Sequence, residues 1–393
     1  MKSLNTASFF NNIVFGIGQI LLWGGSLFLL AVLAEPIMKE TGWAHQWVYG
    51  SLSLAMLISG LLAPAIGRRI NREDRNTVLL YSGIVMGAGL FLVAVSNHIL
   101  FFLSGWAVIG IGMAMGLYDA LFASLGKRHG RSAGMAITQV TLISGFCSTV
   151  VWPFLSILLE HHGWRTTCMI YGAILIVVIF PMHKWALRSS KETIEEVPDN
   201  LNQNTAPQKN VSSTTYYLLL TSFTISSILM TGIYVHLIDI LTDKSISLKE
   251  AVGIGALLGP SQVGTRILEI LLPKRSPVKT AVLASIAVFL GLSLLMLSPA
   301  IAVPGVIIFS MGNAMRSILR GTLPLWIYGS ASYAGIMGRL ARPPLIAQAF
   351  TPFAAGYLIR NSGTAVFLQV LCVLALVNIV LSLGIRGSLK GQR

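Results

Sequence analysis

Apolar residues in this chain come in long blocks separated by short polar turns, without strict alternation inside a block. The blocks near 13–34, 47–67, 77–95, 99–122, 135–159 and 165–183 are each long enough, about 20 residues, to carry a helix across a hydrocarbon core. A second set lies near 215–238, 250–272, 278–297, 303–325, 340–359 and 363–385. A strand-built barrel would show short alternating segments instead, so the pattern predicts an all-α membrane protein with about twelve transmembrane helices. Between the sets runs "RSSKETIEEVPDNLNQNTAPQKNVSSTT" (188–215), rich in Ser, Asn, Gln and Pro and lacking apolar periodicity. It reads as a flexible linker. The expected organisation is an N-terminal six-helix bundle over 1–187, a cytoplasmic linker over 188–214 and a C-terminal six-helix bundle over 215–393.

Composition sharpens this. With 54% hydrophobic and only 11% charged residues, a soluble fold is excluded. Lys and Arg outnumber Asp and Glu by 28 to 14, which raises the question of nucleic acid until their positions are read. Arg68, Arg69, Arg72 and Arg75 fall between the second and third blocks, Lys127, Arg128 and Arg131 between the fourth and fifth, and Lys274, Arg275 and Lys279 between the eighth and ninth. The alternate loops carry few: Lys39, Lys244, Lys249 and Arg360. The excess is therefore an orientation signal that puts both termini on the cytoplasmic side of a cell inner membrane. No basic run is interleaved with aromatics as a nucleic-acid surface requires. The N-terminal block is too long for a signal h-region and lacks a small-residue cleavage pattern, so it is expected to be retained. Cys147, Cys168 and Cys372 lie in apolar blocks without metal or redox spacing and read as core residues.

The halves echo each other at an offset of about 200 residues: "GMAM" (112–115) with "GNAM" (312–315), and "LLEHHG" (158–163) with "LIRNSG" (358–363). Matches at one common offset point to a duplicated six-helix unit whose parallel halves meet around a central cavity.

Two six-helix halves joined by a long cytoplasmic loop resemble the major facilitator superfamily over nearly the whole chain. "GRRINREDR" (67–75) stands where that superfamily carries its helix 2–3 signature: Gly67, Arg72 and Arg75 match, while Asn71 replaces the usual Asp and Asp74 the usual Gly. "GWR" (163–165) and an arginine in the eighth block are similar to the monocarboxylate-transporter and oxalate-antiporter branch. The first helix, "GIGQILLWGGSLF", departs from the animal monocarboxylate carriers in lacking their membrane lysine. The resemblance implies a secondary active transporter that moves a small organic anion by alternating access, with proton coupling open. It implies gating roles for Gly67, Arg72 and Arg75.

Polar residues inside the blocks supply the candidate chemistry, because a lipid-facing charge has nothing to offset its desolvation. Gln262, Arg266 and Glu269 share one face of the eighth helix, just after Pro260. A guanidinium binds a carboxylate through parallel hydrogen bonds, which makes Arg266 and Gln262 candidate substrate residues; the alternative is a structural Arg266–Glu269 pair. On the tenth helix, "SMGNAMRSILRGTLPLW", Arg316 and Asn313 are substrate candidates and Arg320 a gate residue. Asp119, in "GLYDALFAS", is either a proton carrier or a lock for Arg72 or Arg75 at the cytoplasmic end of helix 4. Glu269 is the second proton-coupling candidate. Trp23, Tyr118 and Gln139 are expected to line the cavity, and Trp43, Trp47, Trp106 and Trp164 to form an interfacial belt.

Scattered histidines show no metal spacing, and no Walker loop or nucleophile elbow appears, so no metal, cofactor or enzymatic activity is expected. The expected partners are a small anionic molecule, the bilayer and possible coupling protons, with no nucleic acid, and the protein is expected to be a monomer. The alternative of the same fold is a proton-driven drug or metallophore exporter, for which the Gly/Pro pattern of "SGFCSTVVWPF" is the hint. A receptor or membrane enzyme is disfavoured, since neither a sensing domain nor a nucleophile–base pair is visible.

Overall fold

The computed structural model describes residues 6–72, 77–192, 212–271 and 276–390. Nearly all of the expected linker, from 193 to 211, lies outside these residues, as does Arg75. Regular structure among them is helical throughout, as apolar blocks require where each backbone polar group must find its partner inside its own segment. The first half comprises α1 (Thr6–Gly24), α2 (Leu30–Thr41), α3 (His45–Arg72), α4 (Thr77–Ala94), α5 (Ile99–Gly116), α6 (Tyr118–His129), α7 (Ala133–Ser144), α8 (Cys147–Ile174) and α9 (Phe180–Glu192). The second comprises α10 (Ser213–Asp243), α11 (Leu248–Ala256), α12 (Leu258–Leu271), α13 (Pro277–Leu297) and α14 (Ala302–Lys390).

Among the described residues seven continuous helical stretches are long and apolar enough to cross a membrane, fewer than the twelve apolar blocks because some blocks are joined end to end and the first and eighth are broken into shorter helices. The joints are glycines. Gly163 interrupts α8 at φ 72°, and Gly329 and Gly363 interrupt α14 at φ 72° and 84°. A side chain is strained in that left-handed region, and glycine is not. Gly163 and Gly363 end the two matched motifs of the sequence, so the echo marks the same turn made twice.

The chain divides into two compact units: Met1–Lys209 with Tyr328–Arg342, and Asn210–Ile327 with Pro343–Arg393. In the first, α4 crosses α5 so closely that a Cβ on Gly105 would lie 3.0 Å from the Gly89 carbonyl. The second repeats the crossing, where a Cβ on Gly305 would lie 3.1 Å from the Gly291 carbonyl. Small residues permit such contact, and in lipid it is dispersion and packing rather than water exclusion that rewards it.

Inside the second unit Asn378 is the hub of a buried polar knot. It accepts from Ser222 Oγ at 2.7 Å and donates to Ser226 Oγ at 2.9 Å and Ser285 Oγ at 3.4 Å, while Ser285 and Ser382 join at 2.9 Å. With Arg316 these residues line a crevice of about 20 Å³, room for one water molecule.

Two of the four expected interfacial tryptophans belong to the core: Trp106 is wholly buried and Trp164 is 2% exposed. The Trp164 indole donates to Glu40 Oε2 at 2.7 Å, and Arg165 reaches Glu40 Oε1 at 2.8 Å and the carbonyls of Ala94 and Ser96 at 2.8 and 2.7 Å. "GWR" is thus a clasp that caps the end of α4. Arg165→Ala should lower the thermal midpoint in detergent by the equivalent of about 1–3 kcal/mol, since two carbonyls lose a charged donor. Glu40→Gln should cost less than about 1 kcal/mol, because the ion pair is half exposed and screened. The reverse ranking would make the ion pair, and not the carbonyl caps, the working part of the clasp.

Candidate functional site

In the second unit, α12 starts after a break at Leu257, so Pro260 falls in its first turn, where its missing N–H leaves no bond unmade. Arg266, two turns on, is 4% exposed. Its Nη2 makes two long contacts, to Gln262 Oε1 at 3.5 Å and Ser317 Oγ at 3.3 Å. Its Nε and Nη1 are buried without an acceptor among the described residues. Among the described residues no close ion pair joins Arg266 to half-buried Glu269, although the two lie near enough for their charges to interact. A guanidinium sealed from water with two nitrogens unmatched is costly unless something fills the vacancy.

The surrounding polar groups form a chain. Gln262 Nε2 donates to the Tyr234 hydroxyl, Asn313 Nδ2 donates to the same hydroxyl at 3.4 Å, and Arg316 Nη2 donates to Asn313 Oδ1 at 2.9 Å. The structure thereby brings together Gln262, Arg266, Asn313 and Arg316. It adds Tyr234 of α10 and Ser317, which sequence reasoning missed. A tyrosine between glycine and histidine in "TGIYVHLID" carried the only available signal, a polar tip at mid-helix.

The first unit carries a second constellation where three helices are interrupted near the same residues: after Gly24 in the first apolar block, at Leu117 between α5 and α6, and at Gly145 between α7 and α8. Trp23 and Tyr118 meet across the first two breaks with ring centroids 5.3 Å apart, and the Tyr118 hydroxyl pairs with Ser144 at 2.5 Å beside the third. Gln19 donates at 2.7 Å to the Gly116 carbonyl, which the break at Leu117 leaves without its helical partner. Gln139 accepts from Asn12 at 2.8 Å. Buried and without partners are Asn12 Oδ1, Gln19 Oε1 and Trp23 Nε1. Broken helices in transporters place free backbone groups against cargo, and here the breaks gather around Trp23 and Tyr118.

A family model for the Major Facilitator Superfamily matches residues 7–341. The chain belongs to the major facilitator superfamily. It therefore has the multi-pass membrane transporter fold of that superfamily. The chain is 25% identical over 237 residues to a multi-drug resistance efflux pump PmrA homolog of Lactococcus lactis, covering 54% of this chain and 55% of that one. It is 25% identical over 153 residues to monocarboxylate transporter 3 of Gallus gallus, covering 37% of this chain and 27% of that one. The matches thus span about half or less of these relatives. An uncharacterized transporter, YhjX of Escherichia coli, is 24% identical over 300 residues, covering 74% of this chain and 71% of the relative. The human organic anion transporter MFSD10 shares the fold with a TM-score of 0.70 at 14% identity, covering 96% of this chain and 98% of that one.

The superfamily's helix 2–3 signature ends α3 in the first unit. Gly67 is buried, and a Cβ there would lie 2.7 Å from the Ala334 carbonyl and 2.9 Å from Gly338 Cα. Arg72 is exposed at the helix end, and Lys127 caps that end by donating to the Ile70 and Asn71 carbonyls at 3.2 and 3.0 Å. Asp119 lies not at the end of its helix but in the first turn of α6, directly after the Leu117 break, with the rest of α6 between it and His129. Its carboxylate interacts electrostatically with Tyr333, whose ring rests on Gly126. Arg320 lies one turn beyond Arg316, partly buried.

Proposed function

We propose that this chain moves a small organic anion across the cell inner membrane by alternating access, as a monomer with cytoplasmic termini. The observation that carries the proposal is Arg266, a buried cation with two nitrogens lacking an acceptor among the described residues. A carboxylate ligand supplies both missing acceptors through charge-assisted bonds. The likeness to a monocarboxylate transporter and to a structure of an organic anion transporter supports the same class. Reconstituted into nucleotide-free liposomes, the protein should accumulate or exchange small radiolabelled carboxylates. If instead it moves only cationic dyes, the second reading holds, drug export, which the efflux-pump relative favours.

For Asp119 the interaction with Tyr333 favours a gating role over a proton carrier. Asp119→Asn should change carboxylate exchange itself several-fold in counterflow without a pH gradient, the size expected when a contact of about 1 kcal/mol biases two states. Normal exchange with loss of gradient-driven accumulation alone would instead identify Asp119 as the proton carrier. Glu269 is the carboxylate proposed for coupling.

A further inference from the structure

Hydrogen-bond directions around Arg266 limit what the recess can accept. A guanidinium has donors only, so the amide of Gln262 must turn its oxygen to Arg266, and the amide of Asn313 its oxygen to Arg316. Both amide nitrogens are then turned to one atom, the Tyr234 hydroxyl oxygen. That oxygen receives two donors, so its own proton has no acceptor among them and points elsewhere. As a residue Tyr234 is 36% exposed, while its hydroxyl sits inside the cluster among Gln262, Asn313 and the two guanidiniums. Ser317 Oγ accepts from Arg266 and gives its proton to the Ala314 carbonyl at 2.7 Å. Each of these side-chain oxygens thus already faces at least one donor. The cluster atoms without a partner among the described residues, Arg266 Nε and Nη1, are donors, and so is the Tyr234 O–H.

We propose that Tyr234 is a substrate-binding residue and that the recess is donor-only: it holds an ionised acid through Arg266 and the Tyr234 hydroxyl, takes un-ionised amides only weakly through their one neutral carbonyl, and refuses amines. This rests on Arg266 being the anion site. The two amides act as positioning residues, since they fix the phenol as a donor toward the ligand. Glu269 feels the Arg266 charge but, among the described residues, makes no hydrogen bond to its free nitrogens, so those donors stay available.

The test uses the full chain in detergent and in liposomes, with acetate, succinate and benzoate as probes and acetamide, succinamide and benzylamine as controls. Tyr234→Phe keeps the ring and removes the donor. It should raise KM for the transported acid about tenfold, leave kcat within twofold, and abolish the acid-induced rise in thermal midpoint while the ligand-free midpoint barely moves. Gln262→Glu, which places an internal carboxylate against Arg266 and Tyr234, should abolish acid binding without unfolding the protein. An unchanged KM in Tyr234→Phe, with Arg266→Gln inactive, would overturn the role of Tyr234 and leave the anion site standing. If the amide and amine controls stabilise the native protein as well as the acids do, the donor-only recess is wrong. Normal transport by Arg266→Gln would instead remove the site on which both rest.

Discussion

Arg266→Gln is expected to fold, insert and melt no lower than the native protein in the absence of ligand, yet carry no carboxylate. The two halves of this outcome come from the same fact. Arg266 is 4% exposed and two of its nitrogens face no acceptor, so the native fold bears a desolvation cost that its own contacts do not offset. Removing a buried, unmatched charge relieves that cost, unlike breaking an established buried pair. The anion loses its charged partner, which should weaken binding by about 2–5 kcal/mol, enough to take a micromolar ligand to between about 30 μM and a few millimolar. Arg266→Lys should recover only part of the affinity, because an ammonium lacks the planar fork. Thermal unfolding with and without acetate, beside uptake in liposomes, separates these effects. A destabilised Arg266→Gln would mean that the guanidinium holds the bundle together, and normal transport would mean that it does not touch cargo.

Much of the fold was legible because membrane helices announce themselves by block length. Where the blocks bend was less so. Gly163 and Gly363 stood out as the last residues of two matched motifs, but that both adopt positive φ is a backbone fact that composition leaves open. The interruption at Leu117 has no glycine or proline at the break itself. It places Asp119 in the first turn of a new helix, a position that block length alone does not show. In the site, Gln262 and Arg266 were legible from their spacing of four on one helix. Tyr234 was not, because its link to Gln262 crosses from α10 to α12, and helix spacing says nothing about which faces meet. Trp106 and Trp164 misled for a related reason: position near a block end fits a lipid interface, but Trp106 is wholly buried inside its unit and the Glu40 clasp holds Trp164 in.

Gly67→Val is expected to leave the protein inserted but to free the segment Tyr328–Arg342 from α3. The contact has no slack. A Cβ at position 67 would lie 2.7 Å from the Ala334 carbonyl, 2.9 Å from Gly338 Cα and 3.1 Å from Gly338 N, all main-chain atoms that cannot rotate aside. The same segment is held again where the buried Tyr333 ring covers Gly126 and its hydroxyl feels the Asp119 charge. Overpacking of this kind costs about 1–3 kcal/mol, so an arrangement that needs the close approach would fall from dominance by a factor of about 5–150. If the approach of α3 to this segment is the closed gate, as the resemblance of Gly67 to the helix 2–3 signature implies, the variant should exchange cargo at an altered rate. A cysteine replacing Ala334, which is wholly buried, should then react with a maleimide many times faster than in the Gly67 background, once Cys147, Cys168 and Cys372 are replaced by alanine. Gly67→Ala should show the same change in weaker form, because one methyl meets the carbonyl while two more branches do not. An unaltered labelling rate in Gly67→Val would show that the segment stays on α3 despite the added bulk, and the gate would have to be sought at Arg72 or Arg320.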